Sequence, residues 1–209
     1  MKIIEHLQWR YATKKFDPTL KVSEEAIEQL KKVIQLSATS YGLQAFKVLI
    51  ITNPTIKKQL QAASWNQSQV VDASHLIVFC NCKVVTDEQI DTFIQLKSGV
   101  QKIPLEALDG YGNFMKTKLG ELSPNEIKEW TAKQTYIALG KLLVACAELQ
   151  IDTCPMEGFE PEKYDEILGL TEQNLTASVV AAVGYRSEED KAQFAPKVRK
   201  EMEELFVEI

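Results

Sequence analysis

The 209-residue sequence predicts an α+β sandwich built around one sheet. Three observations carry that prediction. Phe46–Thr52, Leu76–Cys80 and Ala177–Val183 are short apolar runs rich in β-branched residues, and they read as strands. The stretches between them are helical and unequal in length, and the strands are too few and too widely spaced for an eight-stranded barrel. A helix of about residues 124 to 149 is apolar nearly all round over Ile137–Leu149, which marks it as a central buried element.

Taken in order, residues 2–9 form a short helix with Ile3, Ile4 and Leu7 on one face. Trp9–Asp17 then sets Arg10, Lys14 and Lys15 among Trp9, Tyr11 and Phe16, before Asp17-Pro18 turns the chain. Ser23 caps a helix that carries Glu24 and Glu25 in its first turn and runs to about Leu36. A small, hydroxyl-rich break over 37–44 leads into the first strand. Asn53-Pro54 starts the next helix as N-cap and first-turn proline. Residues 86–98 read as helix, and residues 99–122, with four glycines and no clear periodicity, read as an irregular, mobile excursion. Ser123-Pro124-Asn125-Glu126 is a capping box for the long helix. Asp152–Phe159 leads to a short helix around Tyr164. The chain closes on an apolar end, Leu205–Ile209, with no obvious partner within one subunit. One domain over residues 1–209, with 84–122 as its variable excursion, accounts for the whole.

Composition narrows the function. Apolar residues at 45% and charged residues at 25% are ordinary for a soluble globular protein. A net charge of −5 argues against a nucleic-acid binder, which needs a basic face. No apolar run approaches the roughly 20 residues of a membrane helix, and the N-terminus lacks the apolar core of a signal peptide. Cys80, Cys82, Cys146 and Cys154 include no C-x-x-C pair, so free buried thiols in a reducing cytoplasm are expected. With His6 and His75 alone, no histidine-rich metal centre can form, and no metal site is expected.

The candidate binding residues fall in separated stretches. Cations beside aromatics at Trp9–Asp17 suit a ligand that is anionic and planar, or else form a solvated surface turn. In an extended tail, Lys197 and Arg199 point the same way and make an anion clamp. In a helix they diverge into ordinary pairs with Glu201 and Glu203. Pro155-Met156-Glu157-Gly158 is either a plain turn or a rigid one offering backbone N–H groups to a ligand. Asn66 and Gln69 carry amides able to read a heterocycle edge. No dinucleotide fingerprint is present: Gly110 and Gly112 are followed by Met115 where a third glycine belongs, and no strand precedes them.

Together these stretches resemble the FMN-dependent nitroreductase family, in its oxygen-insensitive NAD(P)H and dihydropteridine reductase-like branch. The matching patterns are R-x-x-x-K-x-F-D at Arg10–Asp17, S-x-x-S-x-x-x-Q at Ser37–Gln44 and N-x-x-x-x-x-D-A-S-H at Asn66–His75. They continue as W-x-x-K-Q at Trp130–Gln134, P-x-E-G-F at Pro155–Phe159 and P-K-x-R at Pro196–Arg199. Residues 84–122 match poorly.

The resemblance implies a three-layer α/β/α sandwich around a mixed, mainly antiparallel sheet, in an intertwined cytoplasmic homodimer with FMN at the interface. It assigns Arg10, Lys197 and Arg199 to the FMN phosphate, which favours the clamp over the helix. Tyr11 and Ala12 would line the cofactor, Lys14 would sit at the flavin N1/C2 edge, and Asn66, with Gln69, at its pyrimidine side. Pro155, Met156, Glu157 and Gly158 would cover one face, with the Glu157 backbone near N5. Ala38, Thr39, Ser40 and Gly42 would come from the partner, and Tyr41 and Phe114 would meet the substrate. The implied chemistry is ping-pong hydride transfer through flavin N5, from diffusible NAD(P)H to a nitroaromatic, quinone or pteridine. No side chain acts as nucleophile or base. A flavin-binding sensor or storage protein without turnover shares the same contacts. The departures are Ala12 for a common serine, Gln69 for a frequent lysine, Gly42 and Ala45 for Asn and Pro, and a bulkier Tyr41.

Overall fold

The computed structural model describes residues 1–209. Its centre is an antiparallel sheet of β1 (Phe46–Ile51), β2 (His75–Cys82), β3 (Asp152–Met156) and β4 (Leu175–Gly184), in the order β1-β2-β4-β3. The side-chain period of two sorts the strand residues onto two faces. Leu76, Val78 and Cys80 of β2 and Val180 and Ala182 of β4 face one core, which also holds Leu60 of α3 (Pro54–Ala62) and Tyr164 of α8 (Pro161–Leu168). Ile77, Phe79, Ala181 and Val183 face the other. There they meet Leu30 and Ile34 of α2 (Glu24–Gln35) and Ala138, Leu142 and Cys146 of α7 (Pro124–Glu148). The expected three-layer sandwich is therefore present, and β2 is buried along its whole length.

One irregularity adjusts the central pair. Phe79 lies opposite Val179 but Cys80 lies opposite Ala177, so Ser178 bulges out of the ladder. Its hydroxyl sits 3.0 Å from that of Thr135 on α7, satisfying two polar groups within the helix–sheet contact. Beyond the ladder, a parallel bridge joins Ala12 to Thr153 on the outer edge of β3. The helix starts follow their sequence cues. Ser23 accepts from the Ala26 N–H, Asn53 from those of Thr55 and Ile56, and Ser123 and Glu126 close the capping box of α7. No helix is long and apolar enough to cross a membrane.

Four expectations need correction. Asp152–Met156, not among the strands read from the sequence, forms β3; Pro155 tolerates this place because β3 is an edge strand whose ladder runs only to β4. Residues 99–122 are mostly ordered in helices: α5 (Asp87–Gln101) ends within them, and α6 (Asp109–Gly120) follows. Ile90 and Ile94 of α5 pack on Met115 and Leu119 of α6. Gly112 serves this crossing, since a Cβ there would lie 3.3 Å from Ile94. The second half of α7 is not buried all round: Ile137 and Leu149 are exposed, as are Ile3, Ile4 and Leu7 of α1 (Lys2–Trp9). Finally, residues 196–200 are extended rather than helical, and one turn, α9 (Met202–Leu205), follows.

Glycines give a direct test of this packing. A Cβ on Gly184, at the end of β4, would lie 2.9 Å from the Ser74 backbone N and 3.0 Å from Phe16, whereas Gly99 on α5 has open space. Gly184→Ala should destabilise by about 1–3 kcal/mol through overpacking. Gly99→Ala should stabilise by up to roughly 1 kcal/mol through helix propensity. Urea denaturation of both variants checks the pair; equal effects would mean that the space around Gly184 is not filled as described.

Candidate functional site

The Trp9–Phe16 segment leaves α1 in extended backbone at Arg10 and runs along the outer edge of β3. The Thr13 N–H donates to the Thr153 carbonyl at 3.3 Å, and the Asp17 N–H donates to that of Tyr185 at 2.9 Å. Two buried carboxylates fix this strap from beneath. Asp152 accepts from the Arg186 backbone N–H at 2.9 Å, from its Nε at 2.8 Å and from the Thr13 hydroxyl at 3.4 Å. Its Oδ1 also lies 2.6 Å from Arg186 Nη2. The Arg186 guanidinium in turn stacks on Trp9 at 4.3 Å and Tyr11 at 4.7 Å from the ring centroids. The second carboxylate, Asp190, accepts from the Tyr11 hydroxyl at 2.9 Å and from the backbone N–H of Lys14 at 2.7 Å and Lys15 at 3.1 Å. These hydrogen bonds outweigh its burial and hold its pKa below the ordinary carboxylate value.

Both carboxylates and Arg186 were missed in the sequence. Asp152, an isolated charge between Ile151 and Thr153-Cys154, is the one local signal for them. The aromatic residues of the strap are also reassigned. Trp9 and Tyr11 stack on Arg186, and Phe16 is buried in the core, so all three have a packing role within the chain.

Above the strap, three cations gather. Lys197 Nζ donates to the Arg10 carbonyl, and Arg10 Nε is buried without a partner. Burial and then the charge of Arg199 lower the Arg10 pKa; burial, Arg10 and Arg199 lower that of Lys197. None of the three forms an ion pair, and the i,i+4 partners considered for a helical tail are not engaged. Like charges held this close repel unless an anion joins them. A buried guanidinium nitrogen with no acceptor fits a phosphate oxygen. Lys14 is exposed and likewise free of a carboxylate.

The strip continues through Pro155 and Met156 of β3 to Glu157 and Gly158. Tyr136 of α7 donates to Glu157 at 2.5 Å, and burial with this carboxylate pushes the phenol up to about 12. Gln67 donates to the Gly158 carbonyl at 2.7 Å, tying the Ser64–Gln69 loop to this end. A Cβ on Gly158 would lie 2.8 Å from the exposed Trp65 ring, so the glycine lets that ring lie close over the backbone. Trp65 and Asn66 both take positive φ, 52° and 57°, which leaves Asn66 exposed at the loop tip, while Gln69 is buried at the start of α4 (Gln69–Asp72). Arg10, Tyr11, Ala12, Lys14, Pro155, Met156, Lys197 and Arg199 thus share the β3 edge, with Asn66 linked to it through the Trp65–Gly158 contact.

The remaining residues lie elsewhere. Ala38, Thr39, Ser40 and Gly42 precede β1, at the opposite edge of the sheet, roughly 14 Å away across three interstrand spacings. Gln134 accepts from the Ser40 N–H at 2.8 Å and so holds this turn against α7. Tyr41, at φ 58°, stands edge-on to Phe114 with ring centroids 6.4 Å apart, and 6.1 Å from Trp130. Gly42 also borders a cavity of about 430 Å³ lined by Phe46, Phe93 and Leu96. One chain therefore presents two half-sites on opposite edges.

Comparison with known proteins bears on the family and the fold. The model of the nitroreductase family matches residues 7–185. The major NAD(P)H-flavin oxidoreductase of Aliivibrio fischeri is 32% identical over 211 residues, spanning 98% of this chain and 97% of that protein. The oxygen-insensitive NAD(P)H nitroreductase of Salmonella typhimurium is 28% identical over 217 residues, with both chains covered in full. Among solved structures, ydfN of Bacillus subtilis superposes with a TM-score of 0.89 at 15% identity, covering 100% of this chain and 99% of that one. A protein from Exiguobacterium sibiricum in complex with FMN gives 0.87 at 18% identity, covering 100% and 98%. These two establish likeness of fold.

The anchoring of the strap can be tested by removing Arg186. Arg186→Met keeps much of the stacking surface on Trp9 and Tyr11 but leaves Asp152 buried and unpaired. The expected loss is about 3 kcal/mol, the lower end for breaking a buried ion pair. Chemical denaturation measures it, and a loss no larger than that of an exposed lysine substitution would contradict the anchoring role.

Proposed function

The chain belongs to the nitroreductase family, and on that premise we propose that it is an NAD(P)H-dependent oxidoreductase that carries FMN. The observation that supports the reading most is the convergence of Arg10, Lys197 and Arg199 around a buried, unsatisfied guanidinium nitrogen with no anion of the protein's own. A monophosphate dianion answers both the charge and the missing acceptor. Arg10, Lys197 and Arg199 would hold that phosphate, with Tyr11 and Ala12 lining its approach. Lys14 would present a fixed positive charge to the N1/C2 edge, and Asn66 its amide to the N3/O4 edge, with Gln69 as a neutral neighbour. Pro155, Met156, Glu157 and Gly158 would cover one ring face, and the Glu157 side chain is held aside by Tyr136.

Bound FMN would supply hydride exchange at N5, accepting from NAD(P)H and donating to an acceptor in alternate half-reactions. The protein's own part is orientation and electrostatics. Lys14 opposes the negative charge that two-electron reduction places near N1. Tyr41 and Phe114 offer an aromatic edge suited to a flat, electron-poor acceptor such as a nitroaromatic, a quinone or a pteridine.

The two half-sites support a homodimer. Ala38, Thr39, Ser40 and Gly42 make no contact with the cations of their own chain, and a second copy would bring such residues to them. The exposed apolar residues of α1, of α7 and of Leu205–Ile209 give such a pairing the surface it needs. Four buried free cysteines suit a reducing, cytoplasmic setting.

Purified protein should be yellow with one FMN per subunit, and should oxidise NADH or NADPH in the steady state. Arg199→Ala should weaken FMN binding by about 1.5–3 kcal/mol, the range for a hydrogen bond to a charged group. Lys200→Ala should leave it nearly unchanged, and equal losses by flavin titration would remove Arg199 from the clamp. Flavin binding without NAD(P)H oxidation would instead favour a sensor or storage role.

Lys14→Met keeps the side chain's length and removes its charge. The flavin midpoint potential should fall, by an amount equivalent to ~1.5–3 kcal/mol, with less effect on FMN affinity than Arg199→Ala. An unchanged potential in a fully flavinated variant would place Lys14 away from N1.

A further inference from the structure

Asp190 stands where the two cation-bearing segments of the chain meet. Its side chain is 2% exposed, so it cannot itself reach a ligand on the surface of the strap. One oxygen accepts from the Tyr11 hydroxyl and from the Lys14 and Lys15 N–H groups. The other accepts from the Ala192 N–H at 3.1 Å, opening the 3-10 turn Lys191–Phe194 that leads directly into the tail. The Ser187 N–H donates to the Lys15 carbonyl at 2.9 Å, and the Asp190 N–H donates to Ser187 at 3.0 Å, so the backbone on both sides is tied down at this point. Past Ala195 the chain is exposed, and Lys197 to Arg10 is the one hydrogen bond that returns to the rest of the molecule. The direction in which Lys197 and Arg199 leave is therefore set at Asp190.

We propose that Asp190 is a positioning residue that couples the two halves of the anion site, aligning the Arg10–Lys14 strap and the Lys197–Arg199 tail through one carboxylate. The proposal rests on the FMN reading above and adds a residue to it that touches neither phosphate nor ring. The physical reason is the donor count. Four hydrogens converge on one side chain, and only a carboxylate can accept all of them. Asp190→Asn has the same size, but its single carbonyl oxygen leaves an NH₂ facing either Ala192 or the three donors of the strap. Either arrangement releases one segment from the other without altering any cation.

The test is a double-mutant cycle on flavin affinity, read by fluorescence titration with FMN and, separately, with riboflavin, which lacks the phosphate. Asp190→Asn should weaken FMN binding by about tenfold or more. It should also reduce the preference for FMN over riboflavin. Combined with Arg199→Ala it should add little, because a tail already released from alignment has little left to lose. Additive losses in the cycle, or equal losses for FMN and riboflavin, would overturn the coupling and leave Asp190 a purely structural residue. Should Asp190→Asn fail to fold, Tyr11→Phe removes one of the four hydrogens and keeps the ring on Arg186. A smaller loss with the same non-additivity supports the proposal, and additivity refutes it. A wild-type chain that binds no FMN would sink the flavin reading itself, an outcome distinct from either result of the cycle.

Discussion

Strands β2 and β4 are paired on both edges and covered on both faces, and this constraint shapes the rest of the molecule. A strand so placed leaves its backbone groups only the ladder to bond with and has no room for an unpaired charge. Val, Ile, Leu, Phe and Ala predominate in them, and the polar Asn81 and Ser178 pair with Thr131 and Thr135 of α7. Charge is displaced to the two sheet edges and to the segments beyond the strands, and the candidate cations Arg10, Lys14, Lys197 and Arg199 lie there.

At the β3 edge, negative charge is buried and positive charge is displayed. Asp152 and Asp190 lie beneath the Trp9–Phe16 strap, each saturated with donors, and Arg186 fills the space between Asp152 and two aromatic rings. The strap is thereby held in a single conformation at some energetic cost, since each ion had to be taken out of water. Its outer side carries Arg10 and Lys14, joined by Lys197 and Arg199 from the tail. With the strap fixed in this way, its cations need little further ordering to meet an anion.

At the β1 edge the arrangement is aromatic and neutral. The turn Ser40–Gly42, held by Gln134, carries Tyr41 toward Phe114 and Trp130. Separation of the two edges by the buried strands makes each chain incomplete with respect to the proposed site. The exposed apolar residues of α1, α7 and the C-terminal tail are the matching incompleteness in packing. A second copy of the chain would resolve both with one interface, which is how a two-fold interface comes to carry chemistry.

Much of this was legible in the sequence because it is local. The strand runs 46–52 and 76–80, the caps at Ser23, Asn53 and Ser123, and the ordered series of short patterns depend on residues a few positions apart. Family resemblance singled out the cations at 10, 14, 197 and 199 through short patterns that are themselves local. What the sequence could not show depends on neighbours distant in the chain. β3 has no alternation, and exists because β4 offers its edge to Asp152–Met156. α6 lacks a clear apolar stripe, and folds because Ile94 lies against Gly112. A Cβ on Gly158 would lie 2.8 Å from the ring of Trp65, 93 positions earlier, a closeness that no window of the sequence shows. Asp190 is one acid among several in Glu188-Glu189-Asp190. Its burial under Tyr11 and Lys14, some 180 residues away, is what makes it different. Local propensity and residue chemistry determined the layers and the ligand class. Tertiary structure alone decided which carboxylates are buried, which strand pairs at the edge and which half-sites are kept apart, because burial and long-range pairing are properties of the folded chain and not of any window along it.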